Sequence, residues 1–230
     1  MRKLLTVAEM TLRELLRRRG VLLLLLLLPL GFYLIRREDY VGQSVRSLFL
    51  GISWAVSTAA LFATAASRQI EPRLRLCGYR GHHLWLGRML GLWALGFALA
   101  VPFHLLLEVD VADLRHGAAA LGMVFCVGVA APFGMLIGTV LPRELEGTLL
   151  LLTAVALQMT IDPASTGAKL TPFWSTREIA TYAVDHTDGG YLFRGTVHGI
   201  AVTLGLVLLV AVVSTVRLRR RRHVRFLTAR

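Results

Sequence analysis

The places where this chain comes nearest to metal chemistry are a histidine pair, His82 and His83, and a short acidic set, Asp185, His186 and Asp188. A zinc protease needs two histidines on one helix face bracketing a glutamate, and adjacent histidines on a helix point in different directions. Carboxylates at a loop tip are ordinarily solvated, so the expectation is no bound metal. Nucleotide hydrolysis fails on its lysine. A phosphate-cradling loop ends in Gly, Lys and Ser or Thr, whereas Lys3 and Lys169, the only lysines, are followed by Leu4 and Leu170. Two cysteines, Cys77 and Cys126, supply neither a disulfide framework nor a four-cysteine zinc site. No convergent acid, base or metal set marks a catalytic centre, so the chain is expected not to be an enzyme and to bind no cofactor of its own.

What remains is polarity set against apolar runs. The stretch from Ser67 to Arg88 carries Arg68, Arg73, Arg75, Arg80 and Arg88 against the single acid Glu71. It is too long for a simple turn and holds Pro72, Gly78 and Gly81, the marks of a folded element that touches something. Gln158 and Thr160 are polar groups near the end of an apolar run. An unpaired amide in hydrocarbon is expensive, so the expectation is that both face a cavity that lines a path. His104 and His198 also fall within apolar runs, where hydrogen-bonded packing is the expected role.

These groups are positioned by a membrane protein. Hydrophobic residues make up 55% of the 230, with mean hydropathy +0.62, and together with repeated charge-free runs this places the chain among polytopic membrane proteins. A net charge of +12 would suit a nucleic-acid partner if it covered a soluble face, but the basic residues sit beside apolar spans, so no nucleic acid is expected. Residues 1–19 read as an amphipathic helix lying on the bilayer surface, with Leu4, Val7, Ala8, Leu12, Leu15 and Leu16 on one side. Glu9 with Arg13 and Glu14 with Arg18 are four apart in the favourable order.

Six spans follow, at 21–35, 47–66, 89–107, 118–141, 147–161 and 195–216, with a basic tail over 217–230, all in one transmembrane domain over 1–230. The first is short, because fifteen residues rise only about 22 Å against a hydrocarbon core of about 30 Å. No Asp, Glu, Lys or Arg falls within these windows, which disfavours coupling to protons or sodium. Nineteen of the 26 lysines and arginines fall on one side of this layout, and nine of the 14 acids on the other. The positive-inside rule therefore puts the Ser67 to Arg88 stretch and both termini in the cytosol. The excess of arginine over lysine suggests a GC-rich genome and hence a bacterial plasma membrane.

Between spans five and six, Asp162 to Arg194 is external yet rich in apolar residues, and it reads as a re-entrant or interfacial hairpin. Ser175 and Glu178 have capping-box spacing, which predicts a short helix from Thr176 that ends before Gly189. Small residues four apart, Ala59 with Ala63, Gly87 with Gly91 and Gly134 with Gly138, predict close helix approaches.

This layout resembles the membrane subunits of ABC transporters of the ABC-2 type. The likeness spans almost the whole chain: surface helix, six spans, a cytosolic coupling element between spans two and three, and an external re-entrant hairpin before the last span. Pro72, Arg73, Leu74, Arg75, Leu76, Cys77 and Gly78, leading to Leu86, Gly87 and Arg88, look like the family's coupling segment. Glu146, Gly147 and Thr148 look like its second cytosolic turn, and Leu170, Thr171, Pro172, Phe173 and Trp174 with Arg177 look like its external element. In many members Gly and Thr follow the glutamate after span two, where this chain has Pro72 after Glu71. The resemblance implies the permease half of an exporter, paired with a second permease copy or homologue and with cytosolic ATPase subunits that hydrolyse the ATP. It implies that Glu71, Arg73, Arg75, Leu76, Gly78, Arg80 and Arg88 dock the ATPase. An amphipathic or hydrophobic compound, such as a drug, an antibiotic or a lipid-like molecule, would be the cargo. An intramembrane enzyme or an ion-coupled secondary transporter is the alternative.

Overall fold

The computed structural model describes residues 2–38, 40–141, 143–162, 165–185 and 187–220, the last three by backbone alone. Residues 221–230 of the expected basic tail lie outside the described residues. Nine α-helices and one 3-10 turn make up the described chain, with no strand among the described residues. In order they are α1 (Arg2–Arg17), α2 (Arg19–Leu34), α3 (Val41–Ser67), α4 (Glu71–Leu76), α5 (Gly81–Asp110), α6 (His116–Val140), α7 (Glu144–Thr160), α8 (Trp174–Val184) and α9 (Gly189–Arg220).

Four of them, α3, α5, α6 and α9, are long and apolar enough to cross a membrane. α2 is apolar but has only 16 residues, and α7 has 17. At 1.5 Å per residue each rises about 25 Å, short of a hydrocarbon core of about 30 Å.

The long helices run past the apolar windows that the sequence marks out. α3 starts at Val41 rather than Ser47, α5 at Gly81 rather than Met89, and α9 at Gly189 rather than Gly195. The extensions contain Arg46, Arg88 and Arg194, and each of these cations has a carboxylate partner on another element: Asp185, Glu71 and Glu178 respectively. Pairing lets a helix continue through residues at which a hydropathy window stops.

Six helices, α2, α3, α5, α6, α7 and α9, run alternately between two ends of the bundle. At one end the C-terminus of α3, the N-terminus of α5 and the C-terminus of α9 meet around α4. At the other, the N-terminus of α3, the C-terminus of α7 and the N-terminus of α9 meet around α8. α3 and α6 form the centre, and α3 buries Leu48, Phe49, Ile52, Val56 and Leu61 there.

Glycine sets the closest approaches. A Cβ at Gly138 would lie 2.8 Å from the Leu61 carbonyl oxygen, and one at Gly134 would collide with the Ser57 carbonyl, so α6 meets the α3 backbone along this pair. Gly87 and Gly91 admit α1 instead: added Cβ atoms would lie 2.8 Å from Leu4 O and 2.7 Å from Ala8 O. The amphipathic α1 therefore packs on α5, burying Val7 and Leu15, while Leu5, Met10 and Leu16 stay exposed. Both predicted ion pairs on α1 form, Glu9 with Arg13 and Glu14 with Arg18. The Ala59 and Ala63 pair is buried on α3 and lines a cavity there.

Candidate functional site

The Ser67 to Arg88 stretch folds as a short helix held on a buried charge cluster. α3 ends at Ser67, and the chain turns through residues 68–70 into α4. Pro72 sits in the first turn of α4, where its missing N–H would have had no helical partner. Glu71, only 4% exposed, turns inward. One of its carboxylate oxygens accepts from Arg88 Nη2 of α5 at 3.1 Å, and the other accepts from Arg217 Nη2 of α9. Arg88 is itself 6% exposed. One carboxylate thus bridges three helices, and a buried cation that lost it would carry an uncompensated desolvation cost.

The outward side of α4 is different in kind. Arg73 and Leu76 are exposed, Leu76 to 90%, and Arg75 is half-buried. Gly78 closes the helix at φ +80°, a left-handed conformation that glycine adopts without a Cβ clash. Lys3 of α1 donates to the Gly78 carbonyl at 2.9 Å and its ammonium lies 5.5 Å from the Tyr79 ring centroid, which ties α1 to the same corner. Arg68 donates to the carbonyls of Gly138 and Leu141 at the C-terminus of α6, a cation on orphan carbonyls at the negative end of a helix. Arg80 is exposed, and its amide donates to His83 Nδ1 at 3.1 Å. That bond folds the His83 ring back, so the His82 and His83 rings lie 4.2 Å apart instead of diverging.

Of the seven residues assigned to docking, then, Arg73, Leu76, Gly78 and Arg80 are exposed and Arg75 is half-buried. Glu71 and Arg88 face one another inside. The sequence shows that Glu71 is the only acid in the stretch, but not that it turns inward to Arg88 at the end of the same stretch and to Arg217, 146 residues away.

Gln158 is buried at the C-terminal end of α7, where its Oε1 accepts from the Phe173 N–H at 3.2 Å. Phe173 is the N-cap residue of α8, so Gln158 supplies an acceptor at the helix start. Ser175 was expected to do that work and does not. α8 begins at Trp174, two residues before the expected start, so Ser175 lies inside the first turn, buried and without a hydrogen-bond partner among the described residues, and Glu178 pairs with Arg194 at 3.2 Å. Gln158 also lines a small cavity with Arg36, Gln43, Arg46 and Arg177. Thr160 is exposed and donates to carbonyls of its own helix, Ala156 and Leu157, each at 3.1 Å.

α8 fills the other end of the bundle. Its Ile179, Ala180 and Ala183 are fully buried, and the Arg115 N–H, before α6, donates to Ala183 O at 3.0 Å. The Arg115 guanidinium stacks on Tyr182 at 4.1 Å and donates to the Tyr182 and Thr187 carbonyls. Nearby, Arg37 after α2 donates to Asp110 at the end of α5, to Oδ1 at 2.9 Å and to the backbone oxygen at 3.1 Å. His198 Nε2 lies 2.9 Å from Lys169 O, and His104 Nε2 lies 3.3 Å from Glu108. Of the acidic set, His186 lies outside the described residues and Asp185 pairs with Arg46.

A cavity of about 750 Å³ opens between α2, α3 and α7. Leu24, Leu28, Trp54 and Phe62 give it apolar walls, Thr58 is the polar group along α3, and Glu14, Arg18 and Glu144 stand at the α4 end. Compared with models of protein families and with curated proteins, the sequence matches none of them.

Proposed function

We propose that the chain is the membrane-embedded permease subunit of an ABC exporter of the ABC-2 type, assembled with a second permease copy or homologue and with separate ATPase subunits. The observation that carries this reading is α4: a short exposed helix held rigidly at one end of a bundle of apolar helices. Arg73 and Leu76, with Arg80 just before α5, form the exposed surface at this corner, and Glu71, Arg88 and Arg217 fix its base. A rigid base is what a coupling element requires, because a push on a loosely tethered loop is absorbed before it reaches the long helices. On this reading Glu71 and Arg88 are positioning residues, and Arg73, Arg75, Leu76, Gly78 and Arg80 make the docking contact.

The α4 end faces the cytosol and the α8 end faces outward, in a bacterial plasma membrane, with both termini inside. The alternation of six helices between the two ends supports six crossings, with α2 and α7 as short spans and α8 as the external re-entrant element. Their deficit in length is a matter of a few ångströms, which local bilayer thinning and flanking Arg18, Arg19 and Arg36 accommodate. The apolar cavity beside α2, α3 and α7 supports an amphipathic or hydrophobic cargo, with ATP consumed by the partner subunit.

The test uses two substitutions in a purified, reconstituted complex. Anionic lipid attracts basic residues at about 1 kcal/mol each near the surface, so charge alone does not distinguish a docking helix from a lipid-anchoring loop. Arg75→Glu and Leu76→Asp are both expected to weaken co-purification of the ATPase and to abolish substrate-stimulated hydrolysis, although the second alters no arginine. If both variants keep the ATPase and its stimulation, α4 is a lipid anchor and the permease reading loses its support.

A further inference from the structure

At the α8 end lies a second, basic cavity of about 570 Å³, lined by Arg46, Lys169, Arg177 and Arg194 with Trp174, Tyr191, Thr181 and Glu178. We propose that it is a binding site for an anionic headgroup, a phosphate ester carried on an apolar body, recognised chiefly by Arg177 and Lys169. This goes beyond the transport reading and does not depend on it.

The argument starts from which cations are already engaged. Arg46 donates to Thr181 Oγ1 at 3.1 Å and pairs with Asp185. Arg194 pairs with Glu178 and stacks on Tyr191 at 4.6 Å. Arg177 and Lys169 have no carboxylate within ion-pairing distance among the described residues. Arg177 is half-buried, and burial together with the like charge of Arg46 disfavours its cation, while Glu178 and Asp162 oppose this only at longer range. A half-buried guanidinium beside another one, with no anion bonded to it, is a costly arrangement that a bound anion relieves.

Among the described residues, Glu178 is the one carboxylate in the wall. Burial pushes its carboxyl up from the ordinary range and Arg194 draws it back first; its ion pair is with Arg194, and it acts on Arg177 and Lys169 only through space, beyond ion-pairing distance. The wall therefore carries four cations against one acid.

A separate observation points the same way. Trp174 lines the cavity, is 6% exposed, and its indole N–H has no acceptor among the described residues. It is held by an edge-on contact with His198 at 5.0 Å, and a buried N–H of this kind is normally satisfied. An anion oxygen in the cavity would supply that acceptor while the Trp174 and Tyr191 rings cover the apolar part of the ligand.

Two arms distinguish a free anion from a lipid headgroup. The full chain in phosphatidylcholine nanodiscs is titrated with inorganic phosphate by calorimetry. In mixed phosphatidylcholine and phosphatidylglycerol nanodiscs, native mass spectrometry reads the retained anionic lipid. Saturable phosphate binding identifies a general anion site; retention of phosphatidylglycerol without phosphate binding identifies a headgroup site. In either case Arg177→Gln and Lys169→Gln are expected to lower affinity or retention about tenfold, the loss of one charge-assisted hydrogen bond. Arg13→Gln, at the opposite end, is expected to leave it unchanged. Lys169 is exposed, so its variant reads binding even if Arg177→Gln destabilises α8. The proposal is overturned if the unaltered chain binds neither probe, or if both site variants bind like Arg13→Gln.

Discussion

Glu71 is the residue on which the α4 end depends. It lies in a basic stretch that invites an electrostatic reading of the surface, yet its own charge is spent inside, between Arg88 and Arg217. Removing one member of a buried ion pair strands the other at a cost of about 3–5 kcal/mol. Glu71→Ala is therefore expected to destabilise the detergent-purified chain by about that amount, and Arg73→Ala to leave its thermal unfolding unchanged. Equal melting temperatures for the two would contradict the inward placement. Gln158 gives a second prediction at this scale. Gln158→Leu leaves the buried Phe173 N–H without an acceptor, at a cost of about 1–3 kcal/mol. Hydrogen exchange through Trp174–Val184 is expected to speed up, while Thr160→Val leaves it as it was. The sequence shows that Gln158 needs a hydrogen-bond partner but not which, because an amide accepts from backbone as readily as from a ligand, and the partner is fixed by where α8 starts.

At the scale of elements, helix identity is legible and helix ends are not. Each expected span overlaps one helix, because long apolar runs leave the backbone no partner but itself. The ends move because Arg46, Arg88 and Arg194 look like stop signals to a hydropathy window, and their partners Asp185, Glu71 and Glu178 belong to other elements. The start of α8 moves for a related reason: Ser175 has cap spacing, but the acceptor comes from α7. Glycine spacing shows where helices approach but not what approaches, and α1 rather than another span occupies Gly87 and Gly91. This sets up a paired prediction. Gly138→Val drives a side chain into the α3 backbone and is expected to cost at least about 1–3 kcal/mol. Gly31→Ala, with open space around it, is expected to stabilise α2 by about 0.5–1 kcal/mol. Melting curves of both in one detergent decide it, and a loss of stability in Gly31→Ala would mean that this face of α2 is covered in the native assembly.

For the molecule as a whole, charge asymmetry along the sequence becomes asymmetry between two ends. The exposed basic surface of α4 lies at one end, and the paired charges around α8 at the other. Cys77 is an exposed native thiol at the α4 end, whereas Cys126 is buried. In intact cells an impermeant maleimide is expected to label single cysteines introduced at Asp113 and Thr187 and to spare Cys77, which becomes reactive only in inverted membranes; labelling of Cys77 from outside would reverse the orientation.

Cys77 also gives the most direct access to the docking role of α4, because it follows Leu76 on the exposed surface. A short thiol-anchored photocrosslinker attached there in inverted membranes reports what touches α4, and mass spectrometry of the adduct identifies the partner peptide. The permease account predicts a single protein adduct, to a subunit that carries a phosphate-cradling loop, lost in Leu76→Asp. Adducts to lipid alone, with Cys77 fully modified and the chain folded, would contradict it.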